Sequence, residues 1–186
     1  MKHSEKKTLV DNCRTLGNKD LLDKHLIALF CSAKCPGSII LKTYEYMKQL
    51  QTESTAVISG FHSPIERECL NILLKSKIPV ILCPARSLER MRIKKEYQAL
   101  LKNGRMLIIS PFDGKHNRIS SERSARRNHF ISELADEIFI PYAAPGSKTE
   151  KLCFRVLESD KNVFSLDDSY NANLFLRGVK AISKKN

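Results

Sequence analysis

Six short apolar runs, rich in valine and isoleucine, recur along the chain with helix-length segments between them: "LIALFCS" (26–32), "TAVISG" (55–60), "IPVILCP" (78–84), "RMLIISP" (105–111), "EIFIPYA" (137–143) and "NVFSL" (162–166). Each is nearly continuous rather than alternating, the pattern of a strand covered on both faces. The intervening segments, about 37–51, 64–76, 87–103, 121–136 and 148–159, are long enough for helices. Strand and helix in strict alternation predict right-handed crossovers and an α/β, three-layer Rossmann-like sandwich with a mainly parallel sheet of about six strands. With 186 residues the chain suits one domain, 1–186. Residues 1–23 are its lead-in, with a helix near "NKDLLDKH"; residues 167–186 hold a last helix, stopped by Gly178, and a basic tail.

No apolar run reaches the roughly 18 residues of a membrane span, and the first residues, "MKHSEKKTLVDNC", carry no long apolar segment, so no membrane association and a cytoplasmic location are expected. The formal charge is +12, from 32 Lys+Arg against 20 Asp+Glu, which favours polyanionic partners. Residues 83–127 concentrate it, with twelve basic residues against four acidic. The six cysteines read as free thiols, Cys31 and Cys83 as small buried hydrophobes. Cys31-Ser-Ala-Lys-Cys35 has no second ligand pair to complete a zinc site, and no metal or other cofactor is expected.

Open sheets of this kind bind ligands beyond the carboxyl ends of the strands, where strand order reverses. Unusual residues gather there: Ser32 and Lys34 after the first run, Ser59, Gly60 and His62 after the second, Arg86 after the third, "SPFDGKHNR" with Arg118 after the fourth, and "AAPGSKT" with Gly146, Ser147 and Thr149 after the fifth. There is no G-x-G-x-x-G and no G-x-x-x-x-G-K-[ST], so neither a dinucleotide fingerprint nor a phosphate loop of that type is present. In "VISGFHSPIE", Ser63, Pro64 and Glu66 fit a capping box, with Pro64 at the first helical position. Gly60 permits close backbone approach just where the strand ends. Glu66 would then compete with a phosphate for the same amides.

In "ISSERSARRNHFISELADEIFI", Ser120 can cap a helix on which Arg123 and Arg127 share the apolar stripe of Ile131 and Leu134. Arginines at the start of a core-facing stripe point over the rim of the sheet, where their planar forks suit phosphate or carboxylate. The alternative is a structural ion pair, with Glu66 or Asp113. Phe61, Phe112 and Tyr142, each just past a strand, are candidates for stacking on bases.

"VISGFHSPIE", "PVILCPARS", "GRMLIISPF", "RRNHFISELADEIFIPYAAPGSKT" and "KNVFSLDD", in this order, resemble the Rossmann-like core of the DNA-processing protein A (DprA/Smf) family over roughly residues 24–168. The most specific matches are Ser59-Gly60, Arg127-Asn128, and Gly146-Ser147 with Thr149. The resemblance implies binding of single-stranded DNA, RecA as a partner in recombination, and no catalysis. It departs from the family where a glycine-rich Gly-Ile-Asp segment gives way to Ser63-Pro64-Ile65-Glu66, and where Arg-Asn-Arg becomes Arg127-Asn128-His129. The leading reading is therefore a non-enzymatic binding module for single-stranded DNA or a nucleotide, with room for a homo-oligomer. Its phosphate contacts would come from Ser32, Lys34, Ser59, Gly60, His62, Arg86, Arg118, Arg123, Arg127, Asn128, Gly146, Ser147 and Thr149. The runner-up is a nucleotide-monophosphate phosphoribohydrolase of the Lonely-guy type, with Glu66 or Glu150 as acid or base. Its Pro-Gly-Gly-x-Gly-Thr-x-x-Glu loop is only faintly echoed by Pro145 to Glu150.

Overall fold

The computed structural model describes residues 3–50, 54–89, 91–114 and 119–182. The six apolar runs form strands β2 (His25–Leu29), β3 (Thr55–Ser59), β4 (Val80–Leu82), β5 (Met106–Ser110), β6 (Glu137–Phe139) and β7 (Asn162–Leu166), all parallel. Two further strands close the edges: β1 (Arg14–Gly17), antiparallel to β5, and β8 (Lys180–Ile182), parallel to β7. Among the described residues the sheet thus has eight strands rather than about six, in the order β1-β5-β4-β3-β2-β6-β7-β8.

Both edge strands lie in stretches that carry no apolar run. Arg14–Gly17 is mostly exposed. Gly17 adopts φ +105°, and a Cβ there would lie 2.3 Å from the Met106 carbonyl oxygen, so only glycine fits beside β5. The expected helix near residues 18–25 is instead a 3-10 turn over Lys19–Asp23, with the lead-in helix α1 earlier, at His3–Val10. Near the other end a 3-10 turn and the four-residue helix α7 (Ala172–Phe175) precede β8. Gly178 follows α7 with φ +91°.

Helices cover both faces, and each strand splits its side chains between them with period two. On one face, Leu26 and Ala28 of β2, Ala56 and Ile58 of β3 and Leu107 and Ile109 of β5 pack with α5 (Ser121–Leu134), α6 (Lys148–Leu157) and α7 through Phe130, Ile131, Leu134, Leu152, Val156 and Leu174. On the other, Ile27, Leu29, Val57 and Ile108 meet α2 (Gly37–Gln49), α3 (Pro64–Lys75) and α4 (Lys95–Lys102) through Ile39, Met47, Leu70, Leu73, Tyr97 and Leu100. At roughly 25 cal/mol for each Å² of apolar surface removed from water, this double burial is the main stabilising term. α4 is much shorter than the 87–103 segment expected for it.

The chain runs outward from β2 through β3 and β4 to β5. α5 then carries it back across one face to β6, on the opposite side of β2. Strand order therefore reverses between β2 and β6, and the carboxyl ends of these two strands, with those of β3 and β4, frame the crevice in which such sheets hold ligands.

Candidate functional site

The rim at the strand ends divides into two neighbouring groups of residues. The first surrounds the end of β3. Ser59 is fully buried, and its hydroxyl donates to the Leu29 carbonyl at 2.8 Å while accepting from the Phe61 amide at 3.0 Å. Ser110, the last residue of β5, repeats this arrangement with the Arg86 carbonyl and the Phe112 amide. The capping box of α3 is formed as its sequence requires, with Ser63 as N-cap and Pro64 opening the helix.

Glu66 does more than close the cap. It is buried, and its carboxylate accepts from three backbone amides: Cys31 at 3.0 Å, His62 at 2.7 Å and Ser63 at 3.2 Å. Charge-assisted bonds of this kind are roughly twice as strong as neutral ones. The amides beyond β3 that would attract a phosphate thus already hold an internal anion, and that same carboxylate ties the ends of β2 and β3 together.

Arg127 lies against this group and is 4% exposed. Its Nη1 donates to the Cys83 carbonyl at 3.1 Å and its Nε to Asn128 Oδ1 at 2.7 Å. The guanidinium occupies the place where Gly60 lacks a side chain; a Cβ there would stand 1.3 Å from Nη1. Burial pulls the Arg127 guanidinium below its ordinary value, opposed by Cys83 and by the Glu66 carboxylate. Arg127 therefore braces the strand ends from beneath the rim. Arg123, one turn earlier on α5, is half-buried.

The second group lies at the reversal of strand order. Ser32, buried just past β2, donates its hydroxyl to Ser147 Oγ at 3.2 Å and accepts from the Ala144 amide at 3.1 Å; its own amide reaches the Tyr142 carbonyl. Ser147 caps α6 by accepting from the Glu150 amide at 3.1 Å. Glu150 turns back to accept from the Gly146 amide at 2.6 Å, and its other carboxylate oxygen accepts from Asn173 Nδ2. Gly146 has φ +74°, which this tight return demands. Lys34 is exposed on the loop after β2 and Lys148 at the start of α6, Lys148 Nζ reaching Ser121 Oγ at 2.6 Å, and Thr149 is half-exposed in the first turn of α6.

Of the residues singled out from the sequence, the structure brings Ser59, Gly60, His62, Arg127 and Asn128 together around β3. Ser32, Gly146, Ser147 and Thr149 meet between β2 and β6. Cys31 and Ser32 are adjacent, so the two groups share a backbone. Arg86 stands apart, half-buried after β4, and Arg118 lies outside the described residues. The expected base-stacking faces of Phe61 and Phe112 are closed: both rings are buried, and the Arg126 guanidinium covers Phe112 at 5.4 Å from its centroid. Phe61 is drawn inward with φ 46°, held by Ser59. Tyr142 is half-exposed. Lys148, which adds a charge beside Ser147, escaped the sequence reading because one lysine among many carries no pattern. No group of metal-ligating side chains occurs among the described residues, and none of their helices is long and apolar enough to cross a membrane.

Comparison with known proteins adds a lineage to this geometry. A family model described as DNA recombination-mediator protein A matches residues 12–185. The fold is similar to that of DNA processing protein A from Streptococcus pneumoniae, with a TM-score of 0.77 at 19% identity over 92% of this chain and 63% of that one. It is similar also to DNA processing protein A from Helicobacter pylori, with a TM-score of 0.75 at 17% identity over 95% and 87% of the two chains, in a structure described by its mode of binding single-stranded DNA. The chain thus spans somewhat less than two thirds of the pneumococcal protein. No curated protein matches it.

Proposed function

The chain belongs to the DNA recombination-mediator protein A family, and from that premise we propose that it binds single-stranded DNA through its phosphates at the rim between β2 and β6. The observation that carries this reading is the meeting of Ser32 and Ser147 where strand order reverses, with Lys34 exposed on the loop after β2 and Lys148 exposed at the start of α6. Ser147 Oγ accepts from Ser32 and from the Glu150 amide, so its own O–H remains a donor. The first-turn amides of Lys148 and Thr149 have no carbonyl to meet within the helix, and the helix dipole adds a partial positive charge there. Amides, a hydroxyl and lysines together form a setting for a phosphate oxygen. The overall charge of +12 draws a polyanion toward it.

Within this reading Lys34, Ser147 and Thr149 meet the ligand, while Ser32 and Gly146, whose donors are bonded to Ser147, Tyr142 and Glu150, shape the loops around it. Ser59, Gly60, Arg127 and Asn128 hold the rim in shape behind them, while Arg86 and Arg123 add positive charge past the neighbouring strand ends. A RecA-type recombinase partner and self-association belong to the same proposal through the family alone. The phosphoribohydrolase reading needs Glu66 or Glu150 free to exchange a proton. Both carboxylates accept from backbone amides instead, and no feature of the rim favours hydrolysis.

Fluorescence anisotropy with a labelled oligothymidylate, run beside an assay for base release from nucleoside monophosphates, tests the proposal. Saturable oligonucleotide binding without base release is the expected result. Base release, or no binding at low salt, would overturn it.

A further inference from the structure

The rim carries another concavity, away from the β2–β6 reversal. It lies past the carboxyl end of β5, where β1 begins: Arg14 pairs with Ser110, the last residue of β5, whose hydroxyl holds the Arg86 carbonyl and the Phe112 amide. The cavity measures about 480 Å³ and is lined in part by Asp11 and Arg14 from the turn into β1, Phe112 and Asp113 from the loop after β5, and Arg126 from α5. Sites for small organic molecules are of this size, roughly 300–1,000 Å³.

The charges around it are available. Asp11, Arg14 and Arg126 are exposed, and among the described residues none of their side chains makes a hydrogen bond or an ion pair. Asp113 already interacts with another group, which leaves Asp11 as the carboxylate able to accept. Arg126 is nonetheless held in place: its guanidinium lies over the Phe112 ring, 5.4 Å from the centroid, and Phe112 is 2% exposed. A guanidinium layered on a buried ring can carry a nucleobase on its outer side.

Guanidinium and carboxylate line one space, so a bare phosphate would meet Asp11 as well as the arginines. The ligand that suits both must accept along one edge and donate along another. Guanine does so: its O6 and N7 fit the fork of an arginine, and its N1–H and N2 amino group form a pair of donors for the two oxygens of a carboxylate. Adenine, cytosine and thymine have no such pair of adjacent donors. We infer that this cavity binds a guanine base, with Arg14 at O6 and N7, the Asp11 carboxylate at N1–H and the N2 amino group, and Arg126 as the surface on which the base stacks.

The cavity also gives a strand held at the β2–β6 rim somewhere to go, a consequence that rests on the proposed function. β5 stands three strands from β2, or about 14 Å at about 4.8 Å per strand, and Arg86 follows β4 between them. A single strand held through its phosphates near Lys34 and Ser147 can lie along the rim and place a base in the cavity. Guanine binding by itself does not need that anchor.

Saturation-transfer NMR of the full chain with deoxynucleosides, which carry no phosphate for the β2–β6 rim to hold, reads the cavity alone. Deoxyguanosine should bind best, and deoxyinosine, which lacks the N2 amino group, several-fold more weakly. Asp11→Asn and Arg14→Ala should each remove the preference for deoxyguanosine; both residues are exposed, and an unchanged unfolding midpoint verifies that the variants fold. Equal binding of deoxyadenosine, binding of no nucleoside, or a guanine preference that survives both substitutions would overturn the inference. Fluorescence anisotropy with oligothymidylate, plain or carrying one central guanine, then separates a base of a bound strand from a free nucleotide. The guanine should tighten binding several-fold in wild type and not in Asp11→Asn, whereas Lys34→Ala should weaken both oligonucleotides alike. Equal binding of the two by wild type would overturn the path along the rim. Failure of both to bind at low salt, with deoxyguanosine still bound, would bring down the DNA reading and leave the guanine site standing.

Discussion

The tightest fit in the molecule is between a glycine and an arginine. Gly60 and Arg127 are 67 positions apart in the sequence, yet the guanidinium fills the volume a Cβ would need. Gly60→Ala must push Arg127 off the Cys83 carbonyl or move the end of β3, in a region whose other polar groups are already bonded to one another. Overpacking of a buried site typically costs about 1–3 kcal/mol, and loss of a bond to a charged donor adds to this. We expect the urea midpoint to fall by the equivalent of about 2–4 kcal/mol with an unchanged slope; a fall of less than 0.5 kcal/mol would show that the guanidinium moves aside freely. The sequence made Gly60 and Arg127 conspicuous one at a time, through a glycine at a strand end and an arginine on an apolar stripe. Periodicity places a residue on a face but not opposite a particular neighbour, so their contact could not be read. Glu66 was half legible for the same reason: its bond to the local cap follows from Ser63-x-x-Glu66, whereas its bond to the Cys31 amide crosses between strands.

Among the elements, those in the centre of the sheet were readable and those at its edges were not. β2 to β7 carry unbroken apolar runs because both of their faces are covered, while β1 and β8 are short and mostly exposed, placed by backbone pairing rather than by burial, so no apolar run marks them. α1 is docked by one such inconspicuous contact. Lys6 Nζ lies 2.6 Å from Asp136 Oδ2, which also accepts from the Leu26 amide at 2.8 Å, so one carboxylate joins α1, the start of β2 and the turn before β6. Burial pushes the Asp136 carboxyl up, but the Leu26 amide and Lys6 outweigh it and hold the group below its usual range. A carboxylate with a folded value below the unfolded one, about 3.9, contributes its full stability above that value and loses it as pH falls through the folded one. Asp136→Asn should therefore cost about 1–3 kcal/mol at pH 7, and the gap to wild type should narrow as pH falls below about 4. Asp168, lowered chiefly by its bond to Lys42, titrates in the same direction in both proteins and cancels in the comparison. A gap of constant size from neutral to acid pH, measured by chemical denaturation, would exclude a stabilising charge on Asp136.

For the molecule as a whole, the separation of the rim into a braced part and an open part governs how charge should act on a bound strand. Net charge sets the long-range attraction, but only cations that reach a phosphate release counterions, and each contributes about 0.7 to the slope of log affinity against log salt on a single strand. Lys34, on its loop, and Lys148, at the start of α6, are exposed beside Ser32 and Ser147, whereas Arg127 is sealed beneath Gly60. Lys34→Ala and Lys148→Ala should each flatten the salt dependence of oligothymidylate binding by roughly that amount while leaving the unfolding midpoint nearly unchanged. Arg127→Ala should do the reverse, lowering stability by about 3–5 kcal/mol through the collapse of its contacts with Cys83 and Asn128, and altering the salt slope of whatever protein remains folded very little. The two classes of arginine and lysine look alike in composition and differ only in what lies above them. If Arg127→Ala proves stable and flattens the slope as the lysine variants do, the phosphates run over the end of β3, and the Glu66 carboxylate must give up its amides when the strand arrives.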